Sequence, residues 1–342
     1  MHIAVVASPV TPLQPAQFGG AQSLLSDLAA GLVRRGHRVR LHCVEGSDVP
    51  GVELVTVPVP HDAERALVIP GGRPSQRAPG VSAAIRAMLQ GAAEGDADVV
   101  SQHAFDAEAF RPQLEVPILH TLHLPPLVPD VVEAARALAP SQLATVSMAC
   151  SALWLKAGVE IGQLLPNGVT DIDLEPAPVR HRALIAGRIS AEKGVDLALA
   201  AAKRTGLDVA IAGAKHDAGY HVDLDGAHLL GPVTRTELRR LMAESAVVVC
   251  APRWEEPFGM VAAEAQMAGC PVAAFARGGL PEVIEHGVAG WLAEPDDLEA
   301  LADAIRSCLE LDRSEVRASA RRRLGIEAAI DRYEAALREV AS

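Results

Sequence analysis

The run Ala246-Val247-Val248-Val249-Cys250, together with the turn after it, constrains this chain more than any other stretch. Apolar residues without alternation describe a strand covered on both faces, the habit of parallel sheets. An acidic turn, Arg253-Trp254-Glu255-Glu256-Pro257, then leads into a helix expected to open near Pro257 and to carry Glu264. At the carboxyl end of such a strand an open α/β sheet binds its ligands, and the first helical turn offers unpaired N–H groups to an anion. The pattern continues with a strand over Gly269–Phe275, a Gly278-Gly279 turn into a helix with Pro281 in its first turn, and a short turn closed by Gly287, Gly290 and Trp291.

Glu256 and Glu264 are eight residues apart. A glycosidase pair would have to face each other across roughly 5–9.5 Å. On one helix eight residues rise about 12 Å, too far for that partnership but suited to one ligand lying along the helix. Glu256 at the mouth would then accept hydrogen bonds from sugar hydroxyls, and Glu264, two turns deeper, from a ribose. The plainer reading makes Glu256 a first-turn dipole partner and Glu264 an ordinary helical carboxylate.

At 342 residues the chain has room for two domains of about 150 each with real cores. Aromatic residues are only 3%, so Ala, Val and Leu must fill those cores. A net charge of −12, with both halves acidic, argues against nucleic acid and against docking on an anionic membrane. Five scattered cysteines without a C-x-x-C or zinc spacing point to reduced core thiols in a cytoplasmic protein. Met1–Ala7 is too short and wrongly flanked for a signal peptide and reads as the first strand, and no stretch approaches a membrane span.

After that strand, Gly19-Gly20 precedes a helix over Ala21–Arg35, a turn where backbone can approach a bound group closely or simply flex. The spacing is not that of a dinucleotide fingerprint. Strands over Val39–Val44 and Glu53–Val57 come next. The Pro- and Gly-rich segment Pro58–Pro79, with Arg65, Arg73 and Arg77, reads as a mobile loop on a cleft rim over an acceptor, or as plain disorder. His103 and the His120-x-x-His123 pair stand where apolar strands end; a zinc reading lacks a third ligand, and structural histidines are the plain alternative. In the second half, Arg188 and Lys193 flank the start of a helix, where the macrodipole disfavours cations unless an anion sits between them. A phosphate is such an anion; a solvated basic turn is the rival.

Taken together, Glu256-x7-Glu264 enclosing Pro257-Phe258-Gly259, followed by Gly278-Gly279-x-Pro281-Glu282 and Gly287-x-x-Gly290, resembles the signature of the retaining family-four glycosyltransferases. The likeness is strong over 182–292 and weaker over 1–168. It implies the GT-B fold: two Rossmann-like, doubly wound parallel-sheet domains facing a cleft. Residues 1–168 would form the acceptor-side domain and 169–325 the nucleotide-sugar domain, with Pro166-Asn167-Gly168-Val169 at the hinge and a closing helix in 326–342 packing back on the first. A free, dimerising last helix is the competing reading.

The resemblance further implies roles. Gly19 and Gly20 would touch the donor's distal phosphate and the acceptor, His123 would lie near the transferring sugar, and His103 would be an acceptor-side candidate nearby. Arg188 and Lys193 would hold the diphosphate, Glu256 the sugar, and Glu264 the ribose. Gly231 and Val233 would border the base, and Phe258, Gly259, Met260 and Val261 would present the helix start to the donor. The implied reaction moves a sugar from a nucleoside diphosphate donor, UDP- or GDP-linked, to a hydroxyl of a soluble small-molecule or oligosaccharide acceptor with retention. No cofactor or metal is expected, because two cations and a helix terminus neutralise the leaving diphosphate. Within the family the chain resembles enzymes that assemble oligosaccharide antibiotics of the avilamycin kind. A cell-envelope polysaccharide transferase, a sugar-nucleotide epimerase and a non-catalytic sugar-nucleotide binder are the alternatives.

Overall fold

The structure, a computed structural model, describes residues 1–14, 20–66, 78–111, 114–171, 178–215 and 220–342. It divides into two compact units, the first running to Asn167 and taking in Ile326–Ser342, the second Gly168–Gly325.

The first unit alternates strand and helix: β1 (His2–Val6), α1 (Gly20–Arg34), β2 (Arg38–Val44), β3 (Glu53–Val57), α2 (Pro79–Glu94), β4 (Val99–Gln102), β5 (Ile118–Leu122), α3 (Pro129–Ala135), β6 (Leu143–Thr145), α4 (Met148–Lys156) and β7 (Gln163–Leu164). Its strands lie in the order β3-β2-β1-β4-β5-β6-β7, and every pairing is parallel. Both faces are covered, which is why β1 is apolar from Ile3 to Val6. Ile3 and Val5 join a core with Leu24, Leu28 and Leu32 of α1, while Ala4 and Val6 join one with Ile85, Met88 and Leu89 of α2.

The second unit repeats the plan: β8 (Arg180–Ala186), α5 (Val195–Lys203), β9 (Asp208–Ala212), β10 (Ala227–Gly231), α6 (Arg235–Glu244), β11 (Ser245–Cys250), α7 (Met260–Met267), β12 (Val272–Phe275), α8 (Leu280–Val283), β13 (Gly290–Ala293), α9 (Leu298–Cys308) and α10 (Arg313–Leu324). The order β10-β9-β8-β11-β12-β13 reverses between β8 and β11. On one side Val247, Val249, Ala273 and Phe275 pack with Leu199 of α5 and Leu301 and Ile305 of α9. Both units are thus Rossmann-like doubly wound parallel sheets, as the sequence predicts. Among the described residues no helix is long and apolar enough to cross a membrane.

The last helix, α11 (Ile326–Ala341), belongs to the first unit and packs on α1. Gly31 makes the approach possible, since a Cβ there would stand 2.2 Å from Ile330 Cδ1. Arg35 at the end of α1 meets Glu327 at 2.9 Å, Glu334 at 3.3 Å, and Asp331. In the segment expected to be a rim loop, Ala63–Ala66 forms a 3₁₀ turn. Asp62 accepts hydrogen bonds from the Gly80 and Val81 amides at the start of α2. Arg73 and Arg77 lie outside the described residues.

Candidate functional site

The reversal between β8 and β11 brings two loops out side by side at the carboxyl edge of the second sheet, the place where ligands bind in this architecture. One is Gly187–Gly194 and the other Ala251–Gly259. They approach so closely that side chains cannot be tolerated at the contact. Gly194 has φ +59°, and a Cβ on it would stand 1.9 Å from the Ala251 carbonyl oxygen. Gly278, at φ +61°, lies against the same turn, where a Cβ would stand 2.3 Å from the Glu256 carbonyl oxygen. The Arg253 amide donates to the Glu192 carbonyl at 2.9 Å, and the Gly279 amide to that of Glu256 at 2.7 Å.

On this frame the charged side chains pair. Lys193 Nζ lies 2.8 Å from Glu256 Oε2, which also accepts from the Trp254 indole N–H at 2.9 Å. The same ammonium stands 5.2 Å from the centre of the Trp254 ring. Arg188 Nη2 is 3.2 Å from Glu192 Oε1, and the Ser190 hydroxyl donates to that oxygen at 2.7 Å. The Glu192 side chain is 1% exposed and its guanidinium partner 36%, so a buried carboxylate anchors a cation whose head reaches outward. Deeper in, Glu264 Oε1 receives Arg235 Nε at 2.9 Å and Arg239 Nη2 at 3.3 Å. The anions that the dipole argument demands beside Arg188 and Lys193 include the protein's own carboxylates. Burying these charges is tolerable only because each has such a partner.

One expectation is corrected. Helix α7 begins at Met260, not near Pro257, because Gly259 takes φ +102° and caps it in a left-handed conformation. Glu256 therefore lies in the preceding turn, held by the Gly278-Gly279 loop, and Glu264 only one helical turn in. The rise of eight helical residues does not apply to the pair. Phe258 is buried, whereas Met260 and Val261 are half-buried in the first turn. That turn has no side-chain cap on its N–H groups. Gly231, at φ +70°, ends β10; its carbonyl accepts from the Gly213 amide at 2.9 Å, and Val233 beyond it is buried.

In the first unit the histidines separate. His120 stacks on Phe110, with ring centres 5.2 Å apart, while His123 Nε2 lies 2.9 Å from His103 Nδ1. The His120-x-x-His123 spacing therefore does not bring those two rings together. His103 Nε2 is in turn 2.9 Å from the Ser101 hydroxyl. Burial drives all three imidazoles toward the neutral form: His123 down to about 4, His120 to about 3, and His103 well below its ordinary value, with the His123 charge adding to the effect.

Neutral rings make the chain directional. Ser101 is fully buried, and His103 is the only side-chain partner of its hydroxyl among the described residues. If that hydroxyl accepted, its own hydrogen would be orphaned; if it donates, the N–H left without a protein partner among the described residues is that of His123 Nδ1. With the hydroxyl donating, His103 carries its proton on Nδ1 and donates to His123 Nε2, which leaves His123 protonated on Nδ1. The loop is braced on both sides: Thr145 Oγ1 donates to the Leu122 carbonyl at 2.9 Å and Trp154 Nε1 to that of Leu124 at 3.0 Å. Gly20 opens α1 in the loop after β1, and Gly19 lies outside the described residues.

Sequence reasoning passed over Trp254, Glu192, Ser101 and the Arg235/Arg239 pair. The two arginines carry a readable signal, spacing i and i+4 on one helix face. Glu192 carries none, since a carboxylate next to Lys193 looks solvated until the fold buries it.

Two family models match successive stretches of the chain. Residues 176–328 match the family model for glycosyl transferases group 1, and residues 18–169 match that for glycosyltransferase family 4. The two matches follow one another along the chain, one over each of its compact units. The D-inositol 3-phosphate glycosyltransferase of Mycobacterium avium (strain 104) is 38% identical over 137 residues, covering 36% of this chain and 32% of that protein. Its namesake from Nocardioides sp. (strain ATCC BAA-499 / JS614) is 37% identical over 156 residues, 38% of this chain and 34% of that one. The match therefore spans about a third of these relatives' length. Among solved structures, AviGT4, a glycosyltransferase involved in avilamycin A biosynthesis, superposes with TM-score 0.71 at 21% identity, covering 99% of this chain and 98% of that one. Anabaena Alr3699/HepE in complex with UDP-glucose gives 0.74 at 20%, covering 99% and 100%. At such identity the likeness speaks for the fold.

Proposed function

We propose that this protein transfers a sugar from a nucleoside diphosphate donor, UDP- or GDP-linked, to a hydroxyl of a soluble acceptor, with retention at the anomeric carbon and without a metal. The observation that carries the reading is the Lys193–Glu256 pair, 2.8 Å apart at the sheet's switch point beside Arg188. Cations there suit a diphosphate, and a carboxylate beside them suits the hydroxyls of the sugar it carries. The UDP-glucose held by the structural neighbour supports such a donor. The inositol phosphate in the relatives' name supports a soluble, hydroxyl-bearing acceptor.

The barrier in such a reaction is departure of a diphosphate from an oxocarbenium-like centre. Arg188, Lys193 and the uncapped first turn of α7 stabilise the charge that develops on the leaving group. Glu256 accepts from sugar hydroxyls and Glu264 from the ribose, while the backbone around Gly231 and Val233 borders the base. Retention follows from front-face attack, the departing phosphate oxygen taking the acceptor's proton. The first unit's His123 and Gly20 belong to the same reading and are tested in the same way, by substitution.

A thermal-shift panel with UDP, GDP, dTDP and their common sugar conjugates, with and without EDTA, tests the donor site. A nucleotide at 100 times its Kd stabilises by about 2.7 kcal/mol. A selective, EDTA-insensitive shift is expected, and silence toward every nucleotide would sink the proposal. Glu256→Ala should cut transfer at least a hundredfold, on the order of one lost transition-state contact, and largely spare nucleotide binding. Arg188→Ala should lose both.

A further inference from the structure

Resting on that donor-site reading, we propose that Trp254 is a positioning residue of the site, holding Glu256 toward the sugar when Lys193 turns to the diphosphate. No motif singles Trp254 out. The geometry does, because the indole touches both partners of the central ion pair. Its N–H donates to Glu256 Oε2 at 2.9 Å, and its ring face lies 5.2 Å from Lys193 Nζ.

A diphosphate carries more negative charge than one carboxylate and draws Lys193 toward itself. Glu256 then loses the stronger of its two partners, in a place where its side chain is 15% exposed and little water can replace the loss. The indole N–H does not titrate and has no competing claim from the phosphates. It keeps one carboxylate oxygen satisfied and the carboxyl plane fixed, so that Oε1 can accept from a sugar hydroxyl. The ring face meanwhile limits the swing of Lys193, since an ammonium gains by staying over an aromatic surface. Trp254 in this way joins diphosphate binding to sugar binding without touching either group.

The backbone of the turn does not depend on it. The Gly279 amide holds the Glu256 carbonyl and the Gly278 amide donates to Glu255 Oε2 at 2.9 Å, so Trp254→Phe removes the N–H and leaves the turn and an aromatic face in place. The experiment is calorimetric titration of wild type, Trp254→Phe and Trp254→Leu with UDP and UDP-glucose, and with GDP and GDP-mannose as a second pair. In the wild type the sugar conjugate is expected to bind more tightly than the bare nucleotide. In Trp254→Phe the bare nucleotide should bind within about twofold of wild type, while the conjugate loses roughly tenfold, the size of one charge-assisted hydrogen bond. Trp254→Leu, which also removes the ring face, should weaken the bare nucleotide as well. Wild-type affinity of Trp254→Phe for the conjugate would overturn the proposal, as would an equal loss for both ligands, which marks a merely structural role. If wild type binds the nucleotides and the sugar adds nothing, the positioning role falls and the donor site stands. If wild type binds none of the four, the donor site falls with it.

Discussion

The first unit keeps His103 and His123, just past the ends of β4 and β5, and His120, inside β5, neutral, whereas the second keeps Lys193, Arg188, Glu192, Glu256 and Glu264 in ion pairs. The two sheets share one winding plan, so the difference lies in the loops. A neutral ring in a dry place costs little and offers a directed N–H; a buried charge costs a great deal unless another charge or a ligand meets it. The second unit therefore has charge to hand over to an anion, and the first has hydrogen bonds to hand over to something uncharged. Three perturbations separate these two modes.

The largest effect is expected from breaking the deepest charge cluster. Glu264→Leu takes away the carboxylate that Arg235 and Arg239 share, with Arg239 only 4% exposed. A loss of about 3–5 kcal/mol is expected from breaking a buried pair on one side. Segment-resolved hydrogen exchange should show faster exchange in α6 and α7 and unchanged protection in β1, β4 and β5. Unchanged exchange in α6 would show that Glu264 does not stabilise the second unit.

The next effect is acid sensitivity, and the pH at which it sets in differs between the units. His42, pushed down to about 4 chiefly by burial, joins these three histidines in the first unit. A histidine whose folded value lies below its unfolded value of about 6.5 leaves the folded state with fewer bound protons, so stability falls as pH drops from about 6.5 toward 4. In the second unit Asp196 is held below its ordinary value by hydrogen bonds from Arg253, and its contribution is lost only below about 4. Lowering pH from 7 to 4.5 should therefore cost the first unit a few kcal/mol and the second little. Exchange rates that rise equally in both units would contradict the contrast.

Much of this was legible in the sequence, and the reason is periodicity. Runs such as Val247-Val248-Val249 and Ile3-Ala4-Val5-Val6 can only be strands buried on both faces, and the glycines at 194, 278 and 279 announce loops that pack backbone on backbone. The start of α7 was not legible, because Pro257 favours an early opening and nothing local shows that Gly259 will turn left-handed. Partner choice was not legible either. That Glu192 sinks beneath Arg188, or that Trp254 joins Lys193 to Glu256, depends on contacts between loops far apart in the chain. Glu256 and Glu264 were found by spacing, but the arginines holding Glu264 lie on α6, which that spacing does not reach.

The smallest effect probes the neutral side alone. With the buried Ser101 hydroxyl donating to His103 Nε2, both rings are predicted to carry their protons on Nδ1, the His123 N–H being the one left for a ligand. Long-range nitrogen-15 spectra of histidine-labelled protein report this directly, and the pattern should persist down to about pH 4, where His123 begins to charge. Ser101→Ala should cost about 1 kcal/mol, one neutral hydrogen bond. It should also let the pair sample both tautomers, since neither direction of the His103–His123 bond is then imposed. A wild-type spectrum with His123 protonated on Nε2 would reverse the chain and make that ring an acceptor at Nδ1. The first unit would then offer a lone pair where the present geometry offers a proton, and the contrast with the charged unit would hold in burial but not in the sense of the hydrogen bond.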